Sequence, residues 1–125
     1  MNRKAKGTKF ERDLKHLLEA KGFYVTRASG SGSDGISPDL IALHTTKKFA
    51  IECKAWKNSL FIEKEKMEVM KRWMETTGMQ VFIAWKAPRE QIRFFPLLAM
   101  NETQTGYSLN TKILSSGMTL EDVLK

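Results

Sequence analysis

Pro38-Asp39, twelve intervening residues, then Glu52-Cys53-Lys54 place two carboxylates and a lysine at a spacing that could do chemistry. Close carboxylates repel each other unless a cation lies between them, so the pair suits a hard divalent ion with oxygen ligands and retained waters, such as Mg2+. Such an ion polarises a phosphoryl oxygen and helps generate hydroxide from bound water. A lysine beside it stabilises negative charge developing on a phosphorus centre and can help position or deprotonate the attacking water. The chemistry would be phosphodiester hydrolysis. A surface ion-pair patch is the competing explanation for an Asp, a Glu and a Lys near one hairpin. Against it, Glu52 and Lys54 interrupt an apolar strand, Phe49-Ala50-Ile51 and then Cys53, where an unpartnered charge is costly to bury.

The elements that must position these groups follow from periodicity and turn residues. Asp39-Leu40-Ile41-Ala42-Leu43-His44 and Phe49 to Trp56 read as a β-hairpin with its turn at Thr46-Lys47. That turn sets Thr45 opposite Lys48 and Asp39 opposite Lys54. Opposed residues share a face with Cβ atoms about 5 Å apart, and Glu52 shares it with Lys54 by the period of two. A slip of one residue would separate them.

Phe10, Leu14, Leu17 and Leu18 form a helical period over about Thr8–Lys21, with Thr8 as N-cap and Gly22 as the stop. A basic arm at about residues 1–8 precedes it. At 100° per residue Glu11 falls beside the apolar stripe and can reach inward at the core edge, whereas Arg12 and Glu19 project outward. Phe23–Ala28 reads as a strand feeding the glycine-serine loop 29–35. Ile62, Val69, Met70 and Trp73 share a helical face within Ile62–Thr77, which Gly78 ends. Val81–Trp85 and Gln91–Pro96 read as two further strands, with Pro96 at a strand end or sheet edge. Residues 101–117 are weakly patterned, and Thr119–Leu124 reads as a capped last turn of helix. The order α, β, β, β, α, β, β predicts one α/β or α+β domain over residues 1–125, a mixed sheet flanked by helices.

The chain has 125 residues, 42% of them apolar and 28% charged, which bounds it to one core and argues against dominant disorder. Net charge is +7, a balance that favours polyanionic partners without selecting a reaction. No apolar run reaches the roughly 18 residues of a membrane span, and the charged first residues do not resemble a signal peptide, so a cytoplasmic, DNA-associated protein with no membrane partner is expected. The single cysteine, Cys53, reads as a small core residue. His16 and His44 lack a second ligand at metal spacing, and Trp56, Trp73 and Trp85 read as packing residues.

Lys6-Gly7, Phe10-Glu11-Arg12-Asp13-Leu14, Gly22-Phe23, Arg27-Ala28-Ser29-Gly30-Ser31-Gly32, Pro38-Asp39-Leu40-Ile41-Ala42 and Ile51-Glu52-Cys53-Lys54 together resemble, in order and spacing, the archaeal-type Holliday junction resolvases of the PD-(D/E)xK superfamily. The likeness runs from about Lys6 to Pro96. It implies a restriction-endonuclease-like nuclease core in a homodimer that binds four-way junction DNA by shape and cuts two opposed strands. It also implies Mg2+, with Mn2+ able to substitute, bound by the residues matching Glu11, Asp39 and Glu52, and Lys54 as the catalytic lysine. A loop serine contributes to such sites; Ser31 is the positional match, with Ser29 and Ser33 as alternatives. A four-way junction presents two related scission points, which a two-fold pair of sites would match. Phe94, Phe95, Leu97, Leu98 and Met100 carry more apolar character than one edge strand needs, although core burial accounts for most of it.

Arg3, Lys4, Lys6, Lys9, Arg12 and Arg27 cluster in sequence near these groups and are expected to contact phosphates, positioning the DNA without reading bases. Two rival readings remain: another PD-(D/E)xK endonuclease acting on duplex, flap or damaged DNA, and a non-catalytic DNA-binding module.

Overall fold

The computed structural model describes residues 3–27 and 37–125; of Arg3 and Lys4 it describes the backbone alone. Helix α1 (Arg3–Ala20) is followed by strands β1 (Tyr24–Arg27), β2 (Leu40–Leu43), β3 (Lys48–Lys54) and β4 (Leu60–Glu63). Helix α2 (Lys64–Thr77), strands β5 (Gln80–Trp85), β6 (Arg93–Pro96), β7 (Asn101–Glu102) and β8 (Gly106–Leu109), and helix α3 (Leu120–Leu124) complete the order.

The main sheet has five strands in the order β1-β2-β3-β5-β6, antiparallel except for the parallel pair β3–β5. Strand β3 is central and accordingly reads as a nearly continuous buried run from Phe49 to Cys53. Its side chains alternate between two cores. Phe49, Ile51 and Cys53 pack with Phe10, Leu14 and Leu18 of α1. Ala50 packs on the opposite side with Met67 and Met70 of α2. The alternation puts Glu52 and Lys54 on the α2 side. A row of edge-to-face rings, Phe23–Phe49–Phe82–Phe94, runs through the α1-side core at centroid spacings of 5.6, 5.8 and 6.5 Å.

Away from the hairpin, the structure departs from the sequence expectations most at four places. Helix α1 begins at Arg3, so the basic residues expected in an arm lie on the helix itself; arginine, lysine and alanine are strong helix formers, and Gly7 and Thr8 are carried inside it. Leu17 is 45% exposed and outside the buried stripe. Ile62, expected in the second helix, lies in β4, and α2 starts two residues later. Gly78 ends α2 in the left-handed conformation, as expected, with φ of 72°.

The fourth departure is a small sheet, β4-β8-β7, on the α2 side of the molecule. It takes up the weakly patterned residues after 100, because strands of two and four residues leave little periodicity to read. Its middle strand contains Gly106, opposite Glu63, where a Cβ would collide with the Ile62 carbonyl and the Phe61 ring. Gly106→Ala is expected to destabilise the protein by about 1–3 kcal/mol, the usual cost of overpacking, measured as a lowered midpoint of chemical denaturation. Thr119 caps α3 with a reciprocal capping box through Asp122, as the sequence predicts.

Candidate active site

The hairpin turn is centred one residue earlier than expected. His44 and Lys47 exchange both backbone hydrogen bonds, at 2.9 and 3.3 Å, leaving Thr45-Thr46 as the two-residue turn. Local bonds select it: the Thr46 N–H donates to His44 Nδ1 at 3.3 Å, and Lys48 Nζ donates to the His44 and Thr45 carbonyls. The ladder therefore pairs Leu43 with Lys48 and Leu40 with Ile51. Continued by one step it sets Asp39 against Glu52 in place of Lys54. The partner moves by two residues, which preserves the face, so the convergence of Asp39, Glu52 and Lys54 survives the correction.

Asp39 is anchored from below: the Cys53 N–H donates to its Oδ2 at 2.8 Å. Glu52 is 4% exposed, and its Oε1 has no hydrogen-bond partner among the described residues. Lys54 Nζ stands 3.8 Å from Oε2 and Lys66 Nζ 3.7 Å from Oε1. Burial, and then the charge of Asp39, push the Glu52 carboxyl up to about 7, against the opposing pull of the two lysines. Lys54 also lies over the Trp56 ring at 5.4 Å.

Lys66 was not singled out by the sequence. It sits in the first turn of α2 among alternating lysines and glutamates, and no spacing marks it. It also donates to the Ser37 carbonyl at 3.3 Å, which ties α2 to the segment entering Asp39.

Glu11 approaches from the α1 side. It is partly buried, and Arg27 Nε donates to its Oε1 at 3.2 Å. Burial and then Asp39 raise its pKa, while Arg27 and Lys54 oppose the rise. Glu11 and Arg27 therefore belong to one face of the sheet and Asp39, Glu52 and Lys54 to the other, meeting at the open end of the hairpin. Among the described residues no group of three or more His, Cys, Asp or Glu converges closely enough to hold a metal ion. The pair Asp39 and Glu52 nevertheless fits a hard cation. One or two carboxylates with substrate phosphate and waters suffice for Mg2+, and the buried Glu52 Oε1, which accepts no hydrogen bond among the described residues, is an acceptor that a cation would satisfy.

Of the expected phosphate contacts, Lys6 and Arg12 are exposed, Lys9 bonds Asp13 at 2.7 Å, and Arg27 is engaged by Glu11. The side chains of Arg3 and Lys4, and all of Ser29, Ser31 and Ser33, lie outside the described residues. Trp85 is fully buried with its Nε1–H donating to the Trp56 carbonyl at 3.0 Å, a packing role as expected, and both histidines are exposed. Phe94, Phe95, Leu97 and Met100 are core residues; Leu98 is 92% exposed.

The position of Glu52 has a consequence for stability. Its folded pKa of about 7 exceeds the ordinary 4.5, so the metal-free folded protein holds an extra proton between those values. The associated stability is fully present below about pH 4.5 and is lost as pH rises through about 7. Thermal denaturation in EDTA should therefore show wild type losing on the order of 2–3 kcal/mol relative to Glu52→Gln between pH 5 and pH 8. Parallel profiles for the two proteins would contradict the burial argument.

A model of the family described as archaeal Holliday junction resolvase (hjc) matches residues 2–125. The chain belongs to the archaeal Holliday junction resolvase family. Two relatives named crossover junction endodeoxyribonuclease Hjc come from Archaeoglobus fulgidus and Sulfurisphaera tokodaii. They are 32% and 34% identical to this chain, over 96% and 98% of its length and 90% and 88% of theirs. The solved structure of Archaeoglobus fulgidus Hjc, described as a Holliday junction resolvase, matches with a TM-score of 0.86 at 30% identity, covering 95% of this chain and all of that one. The expected fold class, a mixed sheet flanked by helices, is thus the fold of a resolvase of this family. Among the described residues no helix is long and apolar enough to cross a membrane.

Proposed function

We propose that this chain is a structure-specific endodeoxyribonuclease that resolves four-way DNA junctions by divalent-metal-dependent phosphodiester hydrolysis. The observation that carries the reading is the buried Glu52 carboxylate, beside Asp39 and between Lys54 and Lys66, in a chain of the resolvase family. A buried carboxylate with an oxygen that accepts no hydrogen bond is costly as a structural device and suited to a cation.

Asp39 and Glu52 would hold the metal, Mg2+ or Mn2+, with Glu11, ion-paired to Arg27 at 3.2 Å, as the third carboxylate. When bound, the metal supplies Lewis acidity and lowers the pKa of a coordinated water. Lys54 stabilises the charge that accumulates on the phosphoryl oxygens as the water–phosphorus bond forms and the sugar-oxygen–phosphorus bond breaks. Lys66 keeps Glu52 oriented and the Ser37 segment docked. By the family resemblance a loop serine contributes to the site, Ser31 as the positional match with Ser29 and Ser33 as alternatives. Arg3, Lys4, Lys6, Lys9, Arg12 and Arg27 contact phosphates, and a homodimer supplies the second, symmetry-related site.

The test incubates the protein with an immobile four-way junction, a matched linear duplex and a flap, in Mg2+ and in EDTA, and maps nicks on every strand. Paired symmetrical nicks confined to the junction and dependent on Mg2+ are the expected result. Cleavage of duplex or flap instead would keep the nuclease and replace its substrate; binding without cleavage under any metal would overturn the catalytic reading.

A further inference from the structure

A cavity of about 330 Å3 opens at the same end of the sheet as Asp39 and Lys54 but on its α1 side. Its floor is apolar, made by Phe10, Ala55, Ala87 and Ile92, and its rim carries Lys6, Lys9, Lys57 and Lys86 with one acid, Asp13. Lys9 is paired with Asp13 at 2.7 Å, so three of the four rim lysines are left without that carboxylate. The volume lies at the lower end of small-ligand sites, roughly 300–1,000 Å3. An apolar floor with a cationic rim is complementary to a planar base attached to a phosphate.

The cavity is structurally continuous with the candidate active site. Phe10 precedes Glu11, Ala55 follows Lys54, and the Lys86 N–H donates to the Lys54 carbonyl at 2.9 Å. On α1, with Phe10, Leu14 and Leu18 facing the sheet, Glu11 falls on one flank, and Lys6, Lys9 and Asp13 fall on the other.

We propose that this lysine-rimmed cavity receives a nucleotide extruded from the stack near the exchange point of the junction. The inference rests on the nuclease reading and adds to it a basis for preferring branched over linear DNA. Nucleotides at an exchange point have interrupted stacking and are cheap to extrude, whereas the same base in linear duplex must first be unstacked and unpaired. The rim lysines hold the flanking phosphates, and the floor replaces the lost stacking neighbours.

The experiment uses the full chain in EDTA, where binding proceeds without cleavage, and four-way junctions bearing a single 2-aminopurine at successive positions around the exchange point. Linear duplexes of the same sequence are the control. Binding should raise the fluorescence severalfold at one position, in the junction only. Ala55→Leu, which fills the cavity at a half-buried position, should remove that rise. Lys57→Gln and Lys86→Gln, at the rim, should each lower the salt slope of junction binding by about one while leaving that of duplex binding unchanged. Should Ala55→Leu fail to fold, the two rim variants decide. Junction binding with no fluorescence rise at any position, a rise that Ala55→Leu retains, or equal slope changes on junction and duplex would overturn the cavity assignment and leave the nuclease reading standing. Failure of wild type to bind a junction at all would overturn both.

Discussion

Glu52→Gln should lower Mg2+-dependent cleavage of a four-way junction by on the order of a thousandfold while leaving junction affinity in EDTA within about twofold of wild type. The two halves of the expectation have separate causes. Glutamine keeps the shape of the side chain and a carbonyl acceptor, but it removes the charge that with Asp39 would hold a divalent ion. The exposed basic residues of α1, proposed to contact phosphates, lie elsewhere. Asp39→Asn should behave in the same way, with its anchoring bond from the Cys53 N–H preserved if the amide oxygen takes the place of Oδ2. The measurement is single-turnover cleavage of labelled junction beside electrophoretic binding without metal. Wild-type cleavage by either variant would remove that residue from the site; loss of binding in parallel with cleavage would recast it as structural.

Lys54→Ala should lower turnover by on the order of a hundredfold at saturating metal, with the Mg2+ concentration for half-maximal rate changed little. Lys54 opposes the rise in the Glu52 pKa, as Lys66 does, so one partner of the carboxylate remains when it is removed. In the proposed mechanism its separate contribution is a cation beside the phosphoryl group, and alanine offers no replacement. A metal titration of the cleavage rate tests the division of labour. A large shift in the half-maximal concentration, with full turnover restored at high Mg2+, would make Lys54 a residue that prepares the metal site instead of one that acts on the transition state.

The core of the site was legible because strand geometry is rigid in one respect and forgiving in another. Face is set by parity, so the expectation that Asp39, Glu52 and Lys54 converge survived a turn misplaced by one residue and a pairing displaced by two. The turn itself was not legible, because the bonds that centre it on Thr45-Thr46 come from His44 and Lys48, residues with no strong turn signature. Helix α2 was found from its apolar face, but its start was blurred by Ile62, whose spacing suits a helix while its backbone pairs with Tyr107 in β8. Lys66 was invisible among alternating charges until tertiary structure brought it to Glu52. The Glu11–Arg27 pair joins residues 16 apart through the packing of α1 against β1, a relation that no local pattern encodes.

Cys53 sits between Glu52 and Lys54 in the chain, yet the residue is buried in the α1-side core, and burial holds its pKa well above the ordinary value. Alkylating reagents act on the thiolate and need access to it, and neither condition is met. The protein is thus expected to be a background silent to maleimide chemistry although it is not cysteine-free. A cysteine introduced at an exposed position such as Leu98 or Tyr24 could carry a fluorophore or spin label while the native thiol stays in place.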